Sequence, residues 1–426
     1  MGASFLLLLH LFRLMDYNEV QGECMALDVQ GLTQQIRMIG EQAAARFRQL
    51  LERRKAARAI LSKHAHRGEV LRDKIKRASA VVPSIRCAIP LDEPLNAHYP
   101  LPTNAAPYYI IASDGSQIFP DRHAPLNYYL INIGTIVWKG RESLPIIRTR
   151  THLFCDDNLV SAEMTASEMI SMRRDVMERE ALAQQVREIK AENGASSGSV
   201  VTLTDGTLAL WGALDREDKS SQGVYRQALK SYLEALQILY DEHVISAAYI
   251  DKPRADWLVR SLEIAESEEF QTLSNGMLGG VTDEDLLANL LAPGERSAIF
   301  GIQAIFAEAY REELALHFFY LNVGSEGSPW LVRVEVPAWV AFNSTMLNVL
   351  HYGLWEQCRL MGTHPYPYLL HRAHEAATIT QADKEQVELL LLREFAQRGL
   401  PVGYESHKQY LKNISKRKSK LSGGFR

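Results

Sequence analysis

The chain has 426 residues, of which 46% are hydrophobic and 23% charged, and its formal net charge is −4. That length supports a large core and one elaborated domain with helical additions. The near-neutral charge excludes a uniformly basic, polyanion-coating surface, so any basic patch must be local. Four cysteines, Cys24, Cys87, Cys155 and Cys358, are scattered with neither CxxC nor Cys/His spacing, which argues against a zinc site or a disulfide framework and fits a reducing cytoplasm.

The first feature in chain order is the apolar run Phe5 to Phe12. It is too short to span a membrane, has no basic residue before it and no small-residue cleavage site after it, so neither a span nor a signal peptide is expected. Residues 1–24 are read as a non-native or disordered leader, with Met25 the better natural start. Residues 25–104 are read as an N-terminal helical segment and a Pro-rich linker. Ile36, Ile39, Ala43, Phe47, Leu50 and Leu51 recur at helical spacing between charges, giving one or two long amphipathic helices before residue 80. Pro83, Pro90, Pro94, Pro100, Pro102 and Pro107 then predict loop.

Residues 105–410 are read as the main domain. The run Tyr108 to Ala112 predicts a buried strand ending in Ser113-Asp114-Gly115-Ser116, with Gly115 allowing a tight turn. Tyr128–Val137 and Ile146–Phe154 are two further strands, which makes a three-strand antiparallel meander. A long helix from about Ser161 to Ala191 has apolar residues nearly all round and is expected to be covered on more than one side. A strand from Val200 then ends in Thr204-Asp205-Gly206-Thr207, a second copy of the acid-glycine pattern. A helix over 223–239, a strand over 244–250 ending in Asp251-Lys252-Pro253, and a mostly helical stretch over 254–310 follow. Leu314–Val323 and Trp330–Val336 are expected to form a hairpin across Gly324–Pro329. The remainder is expected to be helical up to a basic tail over 411–426, where Lys412, Lys416, Arg417, Lys418 and Lys420 follow Lys408 with no acid after Glu405. Such a tail can pair with phosphates.

Three strands, a helix, a strand, a helix and a strand is the order of the RNase H-like fold, so the fold class is α/β with a mixed sheet and helical additions at both ends. In that order Asp114 and Asp205 become a candidate pair at one site. Phosphodiester hydrolysis needs an activated water, charge stabilisation on phosphate and help for the leaving oxygen, and two divalent cations about 3.5–4 Å apart supply all three. Hard cations take carboxylate oxygens. A third acid belongs on the long helix; of Glu163, Glu168, Glu178, Glu180 and Glu188, Glu178 is preferred with Glu180 next, periodicity alone not separating them. Within residues 364–374, His364, Tyr366, Tyr368, His371 and His374 are crowded together, and an imidazole there can ligate a metal or move a proton. HExxH, Walker A and Rossmann signatures are absent, and neither Gly115-Ser116 nor Gly206-Thr207 is a G-x-S-x-G elbow.

Ser113–Ile118, Tyr128–Gly134, Leu203–Leu208, Tyr249–Arg254, Pro293–Ser297, Phe318–Leu321, Arg333–Pro337 and Tyr366 through His374-Glu375, taken in order, resemble the NurA family of prokaryotic DNA-end nucleases. The resemblance implies an RNase H-like core, a homodimer, Mn²⁺ or Mg²⁺ as the cofactor, which the chemistry above puts at two ions per site, and a HerA-type hexameric ATPase as partner in DNA-end resection. It further implies 5′ to 3′ exonuclease and single-strand endonuclease activity on DNA. It places metal-binding acids at Asp114, Asp205 and Glu178 or Glu180, and the final Tyr and His at Tyr366 and His374. The other reading of the same residues is a non-catalytic RNase H-like DNA-binding or scaffold subunit of a helicase complex.

Overall fold

The computed structural model describes residues 29–103, 106–120, 128–140, 143–155, 165–193, 198–211, 219–270 and 276–399. The leader, the basic tail and Glu163 lie outside the described residues. The chain divides after Arg53 into two compact units. In the first, helix α1 begins at Val29, and it continues to His64. Leu32, Ile36, Ile39 and Phe47 are exposed along it, at the spacing that puts them on one helix face.

The second unit is built on one 11-stranded sheet. Its centre comprises β3 (Tyr109–Ile118), β4 (Tyr129–Trp138), β5 (Ile146–Phe154), β6 (Val200–Asp205) and β7 (Ile245–Ile250). β3, β4 and β5 form the expected antiparallel meander, β6 lies parallel to β3, and β7 parallel to β6. The spatial order β7-β6-β3-β4-β5 is that of the RNase H-like fold. Helix α3 (Ala166–Asn193) and helix α4 (Lys219–Asp241) make the two crossovers, as parallel neighbours require. α3 packs against β3 and β4 on one side and against α4 on the other, which accounts for its apolar residues on several faces.

Beyond β7 the sheet is extended by β11 (Leu331–Pro337) and β10 (Leu316–Asn322), the expected hairpin, paired in register from Leu316↔Pro337 to Asn322↔Leu331. Both strands are buried throughout, so their near-continuous apolar composition reflects cover on two faces. The hairpin packs Glu335 and Arg333 inside as an ion pair at 2.8 Å.

Two expectations fail here. The 254–310 stretch is not mostly helical: it holds helix α5 (Trp257–Glu266), the short helix α6 (Asp283–Leu287) and two strands, β8 (Arg296–Ser297) and β9 (Phe300–Gln303). The Pro-rich stretch before residue 107 is not all loop, since it contributes β1 (Cys87–Pro90) and β2 (His98–Tyr99), which pair with β9 and β8. Pro90 is tolerated because it closes an edge strand, where a missing N–H breaks no inner ladder. Helix α2 (Gly68–Val81), which buries Leu71, Ile75 and Ala78, precedes them. After the hairpin, α7 (Ala338–Ala341), α8 (Ser344–Arg359), α9 (Tyr368–Ala377) and α10 (Gln381–Gln397) complete the described chain. No helix among the described residues is long and apolar enough to cross a membrane.

Candidate active site

Asp114 does not end its strand. β3 continues to Ile118, and Gly115 stands opposite Ile133 in the ladder with β4. The glycine serves close approach instead of a turn: a Cβ there would lie 2.6 Å from Glu178 Oε1 and from Arg174 Cγ. Lacking that Cβ, β3 lets α3 come down onto it and sets Glu178 beside Asp114. Gly206 does make the expected turn, at φ +83°, immediately after Asp205 at the end of β6.

A second glycine sets the other wall. At Gly134 on β4 an added Cβ would fall 2.7 Å from both Ala373 O and Ala377 N. Helix α9 therefore rests its backbone directly on the sheet. Ser116 Oγ and Asn132 Nδ2 donate to Ala377 O at 2.5 and 2.9 Å, fixing the end of the helix. One turn back, His374 Nδ1 reaches Asp114 Oδ2 at 2.8 Å. The Gly115 amide donates to the other Asp114 oxygen at 2.9 Å.

These elements enclose a cleft of about 420 Å³ lined by Asp114, Asp175, Glu178, Asp205, Arg174 and His374 among others. Of the residues singled out in the sequence, Asp114, Glu178, Asp205 and His374 line it together. Tyr366 lies beside it, its hydroxyl close enough to Asp205 to favour the charged carboxylate. Glu180 is exposed and senses Arg173, Glu234 and His152 instead. Glu168 caps the start of α3 through Thr165, and Glu188 pairs with Arg148. His371 pairs with Glu375 and His364 with Thr363.

Sequence reasoning missed Asp175, Arg174 and Arg179, which also line the cleft. Asp175 lies three residues before Glu178 on the same helix face, a spacing that could have marked it. Arg174 Nη2 donates to Asp175 Oδ1 at 2.7 Å, its Nε lies 3.2 Å from Glu178 Oε1, and its Nη1 donates to Gln117 at 3.0 Å. Arg179 is buried and donates to Thr204 Oγ1 and the Tyr232 hydroxyl.

The electrostatics follow from four carboxylates sharing one partly dry space. Burial pushes Glu178 well above the usual carboxylate range, with the Asp175 charge adding to it and Arg174 opposing. Burial also raises Asp175, against Arg174. Asp205 is raised by desolvation, offset by the Tyr366 hydrogen bond, with Asp114 adding. Burial and then the Asp205 charge raise the Tyr366 phenol, which therefore keeps its proton and remains a donor.

This donor set fits a hard divalent cation in kind, being rich in carboxylate oxygens, four acids against two arginines. Among the described residues no group of three or more His, Cys, Asp or Glu side chains is already arranged to hold an ion; Arg174 holds Asp175 and Glu178 as they stand.

A comparison with curated proteins returned no match. Among solved structures, a crystal structure of NurA is similar at 10% identity, covering 69% of this chain and 90% of that one with a TM-score of 0.38. A crystal structure of NurA with manganese gives 10% identity, 69% and 91% coverage and a TM-score of 0.37. One of NurA bound to dAMP and manganese gives 12%, 73% and 92%, and 0.30. The NurA domain model matches residues 109–379, well over half the chain and the whole of the central sheet with both walls of the cleft: the chain belongs to the NurA family.

Proposed function

We propose that this chain is a divalent-metal-dependent deoxyribonuclease that cleaves DNA at the β3–β6 cleft. The observation that carries the reading is the convergence of Asp114, Glu178 and Asp205, from two adjacent parallel strands and the crossover helix, in one cleft beside His374. Asp114, Glu178, Asp205 and His374 would hold two Mn²⁺ or Mg²⁺ ions. Such ions supply Lewis-acid polarisation of the phosphate and offset the charge that develops on its oxygens.

The chain's own residues do the rest. The Gly115 amide and His374 hold the two Asp114 oxygens in place. Tyr366 orients Asp205, and its phenol keeps its proton and remains a donor at the cleft. Arg174 supplies positive charge among the acids, held against Asp175 and Glu178. Buried Arg179 braces Thr204 directly behind Asp205.

The finer reading is 5′ to 3′ exonuclease and single-strand endonuclease activity in DNA-end resection and repair, in the cytoplasm, with a HerA-type hexameric ATPase. Family membership supports it. A homodimer is supported by the apolar row left exposed on α1 among the described residues, because exposed apolar stripes of this kind mark interaction surfaces.

The test is purified protein on end-labelled single- and double-stranded DNA with Mn²⁺, Mg²⁺ or chelator, beside Asp205→Asn. Metal-dependent cleavage lost in the variant is expected. Cleavage that persists in chelator, or in Asp205→Asn, refutes the site. DNA binding without any cleavage would favour the scaffold reading.

A further inference from the structure

The segment that follows Asp205 is tied down at almost every step. The Gly206 amide donates to Tyr249 O, and Thr207 Oγ1 and the Leu208 amide both donate to the buried Glu335 carboxylate at 2.7 Å. The Tyr232 hydroxyl donates to Leu208 O, the Tyr310 hydroxyl accepts from the Leu210 amide, and the Tyr225 hydroxyl donates to Leu210 O. Leu208, Ala209 and Leu210 are buried. At the end of this rigid segment Trp211 is 56% exposed, and it lines the same cleft as the acids.

The indole does not stand alone. The Phe306 ring lies 5.9 Å away at 39° and supports it from one side. The exposed Arg86 guanidinium lies over the indole, 6.0 Å from its centroid, a loose contact that an exposed side chain can give up to a base. Phe306 is backed in turn by Trp257 at 6.5 Å, and Trp257 by the Arg333 guanidinium at 4.1 Å. An aromatic ring half in water beside a carboxylate cluster is only partly used in packing. It matches what single-stranded nucleic acid requires of a surface: a flat π-face for a base and a cation for the adjoining phosphate.

We propose that Trp211 is the stacking platform for the unpaired base adjoining the scissile phosphate, with Arg86 contacting the next phosphate. The proposal rests on the nuclease reading above and deepens it, naming a residue that favours single strands or splayed ends, since a paired base has no free face to offer. Stacking tolerates any base, so the platform carries no sequence preference.

The test uses the full chain carrying Asp205→Asn in Mn²⁺ and fluorescein-labelled dT20, alone and with single abasic positions, read by anisotropy. Trp211→Ala should weaken dT20 binding about 5- to 150-fold, while Trp211→Phe retains most of it and Trp211→Leu, apolar but unable to stack, does not. An abasic site at the position facing the cleft should cost the parent a similar factor and cost Trp211→Ala nothing further. Blunt duplex binding should be unmoved. The salt slope should be unchanged by Trp211→Ala and lowered by roughly 0.7 in Arg86→Gln. Equal dT20 affinity in parent, Trp211→Ala and Trp211→Leu overturns the proposal, as does an abasic penalty that survives in Trp211→Ala. If the unmutated chain cleaves DNA in Mn²⁺ while these binding results fail, only the platform falls; if it neither binds nor cleaves DNA, both readings fall.

Discussion

Gly134→Ala is the sharpest test of how the cleft is assembled, because the new atom touches no candidate site residue. Its Cβ would lie 2.7 Å from Ala373 O and Ala377 N and 3.0 Å from Ala376 C. All three are backbone atoms of α9, so no side chain can yield and the helix itself must lift. Restoring ordinary contact at 3.4 Å means a shift of about 0.7 Å. Carried to His374, that shift stretches its 2.8 Å bond to Asp114 toward about 3.5 Å, where little hydrogen bonding survives. Overpacking of this kind costs roughly 1–3 kcal/mol, and misplacing a group by about 1 Å costs on the order of 10²-fold in rate. The expected result is a folded protein with a lower melting temperature and a roughly 10- to 100-fold slower cleavage of single-stranded DNA. In a His374→Ala background the same change should cost little more activity, since the group it misplaces is gone. Wild-type activity and melting in Gly134→Ala would refute the direct seating of α9 on the sheet. An identical loss in both backgrounds would refute the route through His374.

Asp114→Asn and Asp205→Asn should each abolish metal-dependent cleavage with the far-UV circular dichroism spectrum unchanged, because an amide offers a cation no charge. Glu178→Gln should slow cleavage on the order of 10²-fold and Glu180→Gln within about 3-fold, as one faces the cleft and the other solvent; equal effects in single-turnover assays would remove Glu178 from the site. His351 is buried, its ring within 2.7 Å of Gly294 O, and burial lowers its pKa from 6.5 to about 4. A base held neutral in the fold but free to protonate when unfolded gives stability that is full above about pH 6.5 and lost as pH falls toward 4, by up to about 3 kcal/mol. Urea unfolding of wild type and His351→Gln between pH 4 and 7 should show that slope in the first and a flatter one in the second.

The elements of the central sheet were legible in the sequence because β-branched and aromatic runs such as Tyr129–Val137 and Val200–Leu203 are long enough to show their character. β1, β8 and β9 were not, since two to four residues cannot display a period, and their pairing is fixed by distant partners. Asp114 and Asp205 were legible through their repeated context, but the role of Gly115 was not: a glycine needed for an approaching helix looks locally like a glycine needed for a turn. The choice between Glu178 and Glu180 was closed to periodicity because α3 is covered on two sides, leaving no single apolar stripe from which to measure angles. Asp175 and Arg174 escaped for the same reason. Trp211 was hidden by its neighbours, since Leu208 to Leu210 make the whole segment look buried.

Arg174 and Asp175 are adjacent in the chain and partners in the cleft, and this ties their evolutionary fates. A lineage that lost Asp175 alone would strand a half-buried guanidinium with less to neutralise it, and one that lost Arg174 alone would leave Asp175 and Glu178 repelling each other with less relief. Each single step crosses a valley that the joint change avoids. Among relatives, positions 174 and 175 should therefore be kept or exchanged as a unit, so that drift at this corner of the cleft proceeds by paired replacement while Glu178 stays fixed between them and the sheet.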